Sequence, residues 1–296
     1  MVPIAYIITV LIWGSTWYAI ELQLGQVSSD WSVVYRFFFS ALILMAFCLV
    51  KRHPLKFSRK NHFYMMLLGF FLFSSNYILV YMSTAYLTSG LVAVSFSMLP
   101  FFNIFFSRLF LKTPIEPSIL WGALIGIAGL VLVFWPEVES LHLGDETMFG
   151  LILCVTATIF ASIGNTAASA KKIRQIPLFP LTAWAMLYGA IFTALYALLA
   201  GHTPTFDTRL SYWLSFLYLS IFGSVIAFSV YLWLIEKIGG SRAAYTSVLT
   251  PIVALIISTF LENYIWSVLS LSGISLVLLG NLLLLRKKVK PIQTPT

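Results

Sequence analysis

Stretches of about twenty apolar residues, parted by short polar links, recur from one end of this sequence to the other, and they leave it few ways to fold. A helix needs roughly 20 predominantly apolar residues to cross the hydrocarbon core of a bilayer. Ten such stretches are readable, at residues 3–22, 31–50, 63–83, 90–111, 118–135, 148–170, 180–200, 211–235, 241–261 and 265–285. Little of the 296-residue chain is left for a separate soluble domain. Only 9% of the residues are charged, where a soluble domain carries about 25%. A chain so poor in charge cannot clothe a globular surface. The expected fold is therefore an all-α membrane protein of ten transmembrane helices. Pro3, Pro117 and Pro180 stand at span starts, where proline suits the first helical turn.

Charge sets the orientation. Lys51, Arg52, Lys56, Arg59 and Lys60 lie between spans 2 and 3, and Arg108 and Lys112 between spans 4 and 5. Lys171, Lys172 and Arg174 follow span 6, Lys237 and Arg242 follow span 8, and Arg286, Lys287, Lys288 and Lys290 form the tail. All but two of the 18 Lys and Arg residues thus fall on one side, which is the cytoplasmic side by the positive-inside rule. The link between spans 5 and 6 holds Glu137, Glu139, Asp145 and Glu146 and no Lys or Arg. Both termini are then cytoplasmic, in an inner or plasma membrane. The net charge of +8 needs no nucleic acid partner; the basic loop 51–60 and the tail set topology or hold anionic lipid. The first apolar run lacks a basic lead and a small-residue cleavage site, and reads as a retained helix. Cys48 and Cys154 fall inside spans near opposite faces and are expected as buried thiols.

The chain also repeats itself. An offset of 151 places Pro100 on Pro251, Gly122 on Gly273 and Gly129 on Gly280. The offset drifts to about 147 in the first spans of each half, where Trp13 meets Phe160. Two units follow, 1–140 and 141–296. Five spans per unit is an odd number, so the second unit must enter the membrane the other way up. Inverted repeats of this kind are an architecture of secondary transporters.

Several of these features bear a family likeness. The run Ile12-Trp13-Gly14-Ser15-Thr16-Trp17, the triplet Tyr35-Arg36-Phe37, the paired Pro100 and Pro251, and Phe260-Leu261-Glu262 with Gly273 and Gly280 resemble the EamA-type transporters of the drug/metabolite transporter superfamily. The resemblance covers essentially the whole chain. It implies a ten-helix fold with a cavity between the halves, peripheral fifth and tenth helices, and small metabolites, often exported, as substrates. In one place the sequence departs: the family often ends its fourth span on an acidic residue, and Leu111 stands where Glu262 stands in the second half.

Chemistry is sparse. His53, His62, His142 and His202 all fall in loops without metal-ligand spacing, no Asp falls within a span, and no phosphate-binding glycine loop occurs. An enzyme, a resident metal and a cofactor are not expected, and transport would be secondary. What the spans do carry is polar and aromatic faces: Trp13, Thr16, Trp17 and Ile20; Asn76, Tyr77 and Tyr81; Ser162, Asn165 and Ser169; Trp184 and Tyr188; Ser224, Phe228 and Tyr231. Polar side chains avoid lipid, so these faces look inward. They either line an amphipathic cavity that holds a small solute, or serve as interfacial belts and helix-to-helix glue. Trp13, Trp17, Arg36, Asn76, Tyr77, Tyr81, Asn165, Trp184, Tyr188 and Tyr231 are the candidate substrate-binding residues. Pro100 and Pro251 are either a pair of hinges or static kinks, since each leaves the carbonyl four residues back without its amide partner. Arg36, inside span 2, either pairs with Glu21 and clasps two helices or meets an anionic group of the substrate. The close-packing face Gly122, Gly126, Gly129 serves within the chain or in a homodimer. The function reading is export of small metabolites such as amino acids. A flippase or exchanger of a lipid- or nucleotide-linked compound, and a receptor or scaffold without transport, stand beside it.

Overall fold

A computed structural model describes residues 1–112, 117–139, 146–170, 173, 175–238 and 246–285. Lys171, Lys172, Arg174, Arg242, the basic tail, His142, Asp145 and the division at 140/141 lie outside the described residues. The chain is all helical. Span 1 is α1 (Val2–Glu21) and span 2 is α2 (Ser29–Val50). Span 3 joins α3 (Arg59–Phe70) and α4 (Asn76–Thr84) through a π-helical segment, Phe71–Ser75. Span 4 is α5 (Ser89–Phe96) followed by α6 (Leu99–Leu111). Spans 5, 6 and 7 are α7 (Pro117–Glu139), α8 (Glu146–Ala168) and α9 (Leu178–Leu199). Span 8 joins α10 (Leu210–Leu217) and α11 (Ala227–Ile238) through a second π segment, Tyr218–Ile226. Spans 9 and 10 are α12 (Thr246–Leu261) and α13 (Val268–Leu285). Seven of these spans are long and apolar enough to cross a membrane, and shorter apolar helices at 124–133, 249–261 and 268–280 supply the rest. Helices are what a bilayer permits, because each satisfies its backbone internally.

Local chemistry marks the ends. Ser58 accepts the amide of Asn61 at 3.3 Å and so caps α3. Asp30 sits in the first turn of α2, next to the positive end of its dipole, and accepts the Trp31 amide at 2.9 Å. It was expected in a loop, as was His62, which lies in α3; Glu137 and Glu139 belong to the last turn of α7. Lys112 ends α6 in the left-handed conformation, φ 57°. Cys48 and Cys154 are buried free thiols.

The packing shows the inversion. Span 1 packs on span 9, and its counterpart span 6 packs on span 4; span 2 packs on the π segment of span 8, and span 7 packs on span 3. Two pairs are their own counterparts, α2 with α9 and α7 with α13. In the second of these, glycine lets backbones touch. A Cβ on Gly129 would stand 2.6 Å from the Gly273 carbonyl, and one on Gly280 would stand 2.6 Å from that of Gly122. The glycine face of span 5 is thus used within the chain. Lipid supplies no hydrophobic drive for helix pairing, so close van der Waals contact of this kind holds the pair. Trp121, Leu124, Val131 and Trp135 point away from it and are exposed.

Candidate functional site

The helices converge on Arg36, two turns into α2 and 1% exposed. A cation at the centre of a spanning helix costs about 2.5–3.5 kcal/mol. The surroundings offset this in several ways. Nε donates to the Ser224 hydroxyl at 3.2 Å, and Nη1 donates to the Tyr81 hydroxyl at 3.4 Å. The guanidinium also lies 4.8 Å from the Tyr77 ring centroid and 5.2 Å from that of Phe37. Ser224 is aimed by its π segment, donating to the carbonyl of Leu219 five residues back at 3.0 Å. The Tyr81 hydroxyl in turn donates a hydrogen bond to Gln23 Oε1 at 2.7 Å. The expected Glu21–Arg36 pair is not formed. Among the described residues no carboxylate lies within 4.0 Å of the guanidinium, and Glu21 Oε2 is buried without a partner. Similar depth in the membrane is not contact: the Arg36 side chain is turned toward span 8 and Tyr81, where two hydroxyls and two ring faces receive it.

Aromatic rings run on from this point. Tyr77 meets Phe37 at 4.6 Å, Phe37 meets Phe73 at 5.3 Å and Phe73 meets Phe228 at 5.7 Å. Phe228 meets Trp13 at 5.5 Å, and Trp13 meets Tyr231 at 4.9 Å. Trp17 stands next to Trp13's turn, against Phe96 at 5.2 Å. Spans 1, 2, 3, 4 and 8 all contribute. Trp13, Trp17, Tyr77, Phe96, Phe228 and Tyr231 are only half buried, so part of each ring stays uncovered. Of the residues singled out in the sequence, Trp13, Trp17, Arg36, Tyr77, Tyr81 and Tyr231 come together here. Asn76, beside Tyr77, donates to the Leu72 carbonyl at 3.3 Å and leaves its own Oδ1 buried and unpaired. Phe37, Phe73 and Gln23 belong to the site and were not foreseen. Gln23 lies beyond the end of the first span, and its signal was an amide adjoining an apolar run.

Trp184 and Tyr188 lie elsewhere. The Trp184 indole donates to the Leu55 carbonyl at 3.1 Å, and the Tyr188 hydroxyl meets His62 Nδ1 at 2.9 Å. They strap the loop after α2 and the first turn of α3 onto α9. The same strap exists at the opposite face: the Trp31 indole donates to the His202 carbonyl at 3.0 Å, and Tyr35 donates to that of Thr205 at 3.0 Å. Asp30 holds the His202 ring at 2.6 Å, and Arg209 bridges Asp207 to the Leu24 carbonyl. The Arg209 guanidinium holds the Asp207 carboxyl below the usual carboxylate range. Trp31-x3-Tyr35 and Trp184-x3-Tyr188 are repeat counterparts, 153 residues apart.

That register pairs Arg36 with Gly189. The seam of span 2 on span 8 and its counterpart, span 7 on span 3, each set a glycine against a large side chain. A Cβ on Gly189 would stand 2.6 Å from that of Phe73, while a Cβ on Gly223 would stand 3.5 Å from Arg36 Nη2 and 2.8 Å from the Thr16 methyl. The flanking hydroxyls are conserved in role between the halves: Ser40 donates to the Ser220 carbonyl at 3.1 Å, and Thr193 donates to Ser74 at 2.9 Å.

Asn165 is half buried on α8, its carbonyl accepting the Ser169 hydroxyl at 3.0 Å. The prolines are not equivalent. Pro100 is the second residue of α6, after a break at Ser97–Met98 where Ser97 and Met98 amides turn back to Val94 and Ser95 at 3.1 and 3.2 Å. Pro251 lies inside a single helix, α12. Across the halves, Glu262 at the end of α12 accepts both the amide (2.9 Å) and the hydroxyl of Ser89, the first residue of α5.

Comparison with known proteins places this architecture. Residues 2–135 and 148–286 each match the EamA-like transporter family, so the chain belongs to that family, as a multi-pass membrane transporter and not an enzyme. It is 27% identical to YedA, an uncharacterized inner membrane transporter of Escherichia coli, over 84% of this chain and 79% of that protein. It is 24% identical to YoaV, an uncharacterized transporter of Bacillus subtilis, over 86% of each. A crystal structure that is 16% identical shares the fold, with a TM-score of 0.69 over 95% of each chain.

Proposed function

We propose that this family member is a secondary transporter that exports small polar or amphipathic metabolites, such as amino acids, across the inner or plasma membrane by alternating access. The observation that carries the reading is the file of rings running from Tyr231 and Trp13 to Arg36, half buried except at Phe73 and Phe37 and built from both halves where they meet. Ring faces and scattered hydroxyls suit a solute with an apolar body and a polar end. Two like halves, oppositely set, can open one such site to either side in turn. Trp13, Trp17, Arg36, Asn76, Tyr77, Tyr81 and Tyr231 would face the solute, with Asn165 on the neighbouring α8. Trp184 and Tyr188 serve the strap. The break before Pro100 and the proline inside α12, Pro251, would supply flexible points in spans 4 and 9.

Counterflow of a metabolite library in proteoliposomes, with and without a pH gradient, tests this reading. Accumulation of at least one solute, abolished by Trp13→Ala, is the expected result. Failure of every solute to move would sink it. The charge pattern also supports a topology with both termini in the cytoplasm. An engineered cysteine at Glu139 should then react only from outside, and labelling from the cytoplasm alone would reverse the topology.

A further inference from the structure

We infer that Arg36 and Gln23 form a seat for a single carboxylate, so that the transported solute is recognised through a monoanionic end. This rests on the transport reading above and names the chemistry of its site. Three observations carry it. The guanidinium is buried among the described residues without a carboxylate within 4.0 Å, so its charge is solvated but not neutralised. Its hydrogen-bond relay ends on a second donor: Gln23 is 1% exposed, spends its Oε1 on Tyr81, and keeps Nε2 buried with no partner. A cation and an unpaired amide N–H group, joined through one tyrosine hydroxyl, lack only an acceptor.

The third observation is the difference between the halves. At the counterpart seam, where span 7 packs on span 3, Gly189 stands at the repeat position of Arg36 and packs against the Phe73 ring with no charge. Packing two spans together therefore does not require a guanidinium. Arg36 is an addition to one half, and a buried unpaired charge is too costly to persist for packing alone. The planar fork matches a carboxylate, presenting parallel N–H groups to its two oxygens. One fixed positive charge suits a monoanion. A phosphate dianion would call for further cations, and no Lys or other Arg stands in the contacts of Arg36.

The test uses the full chain in lipid nanodiscs. Binding is read from intrinsic tryptophan fluorescence, with four probes: 3-phenylpropanoate, 3-phenylpropanamide, phenethylamine and inorganic phosphate. The expected result is that 3-phenylpropanoate binds at least tenfold more tightly than the amide, while the amine and phosphate compete with neither. Gln23→Leu should weaken the acid severalfold and leave the amide unchanged. Arg36→Gln should bring acid and amide to equal affinity, and Arg36→Lys should restore only part of the preference. Equal affinity of acid and amide for the unmodified protein overturns the seat, as does binding of neither. So does an acid preference that survives Gln23→Leu together with Arg36→Gln. If neutral solutes cross in proteoliposomes while the acid shows no preference, the seat fails and transport stands. If nothing crosses, the transport reading fails first.

Discussion

The amino end of α5 is capped from the other half of the chain, and removing that cap should loosen the face on which it lies. Thr88 occupies the capping position but makes no capping bond, and its hydroxyl is buried without a partner. Glu262 takes over, accepting the amide and hydroxyl of Ser89. Hydrogen bonds to a charged group contribute about 1.5–3 kcal/mol each. Glu262 is half exposed, so the lower figure applies, and two bonds come to about 3 kcal/mol. Glu262→Ala should therefore shift the folding equilibrium roughly a hundredfold toward the unfolded state. Glu262→Gln keeps the geometry and loses the charge, and should cost about 1 kcal/mol. A local cap can stand in: Thr88→Asp in the Glu262→Ala background should recover about 1 kcal/mol. Reversible unfolding of purified protein in mixed micelles, followed by tryptophan fluorescence, measures all three. A loss below about 0.5 kcal/mol for Glu262→Ala, or no recovery with Thr88→Asp, would refute the cross-half cap.

Three other outcomes follow from the geometry. Gly129→Leu should separate α7 from α13 and cost at least about 1–3 kcal/mol in the same assay, whereas Ala128→Leu on the exposed side of α7 should leave stability unchanged. Because Asp207 has its folded pKa lowered, chiefly by its bond to Arg209, its stabilisation is complete at neutral pH and disappears as pH falls through that lowered value. Protease cleavage in loop 201–209 should rise on strong acidification in the parent and already be raised at neutral pH in Asp207→Asn; a flat profile in both would remove the bridge from the account. Pro251→Ala should straighten a continuous helix and slow counterflow at unchanged folded yield, while Pro100→Ala, at a helix start, should have the smaller effect on turnover; equal rates in all three proteins would eliminate the hinge.

The spans were legible because lipid demands unbroken apolar runs, and the inversion because an odd span count and loop charge must agree. Breaks inside spans were not legible. Phe71–Ser75, Tyr218–Ile226 and Ser97–Met98 are as apolar as their neighbours, and hydropathy does not register an added residue per turn. The sequence could not tell a proline inside a helix from one that opens a helix, which is how Pro100 differs from Pro251. Inward-facing aromatic residues were legible as a set, since polar tips avoid lipid. Depth was not: Trp184 and Tyr188 share the periodicity of the others but sit where a loop folds over them. Arg36 was visible as an anomaly, while its partners came from spans 3 and 8, at separations of 45 and 188 residues that no local pattern reports.

An inverted repeat with identical halves would have two end states of equal free energy, since each would be the other turned over. Arg36 in one half against Gly189 in the other removes that degeneracy. A guanidinium held by Ser224 and Tyr81 and a phenyl ring set against a glycine do not respond alike when their seams loosen. On the alternating-access reading, the two facings would then differ in free energy before any solute or gradient acts, and the side chains of the seams, rather than the membrane around them, would set that difference.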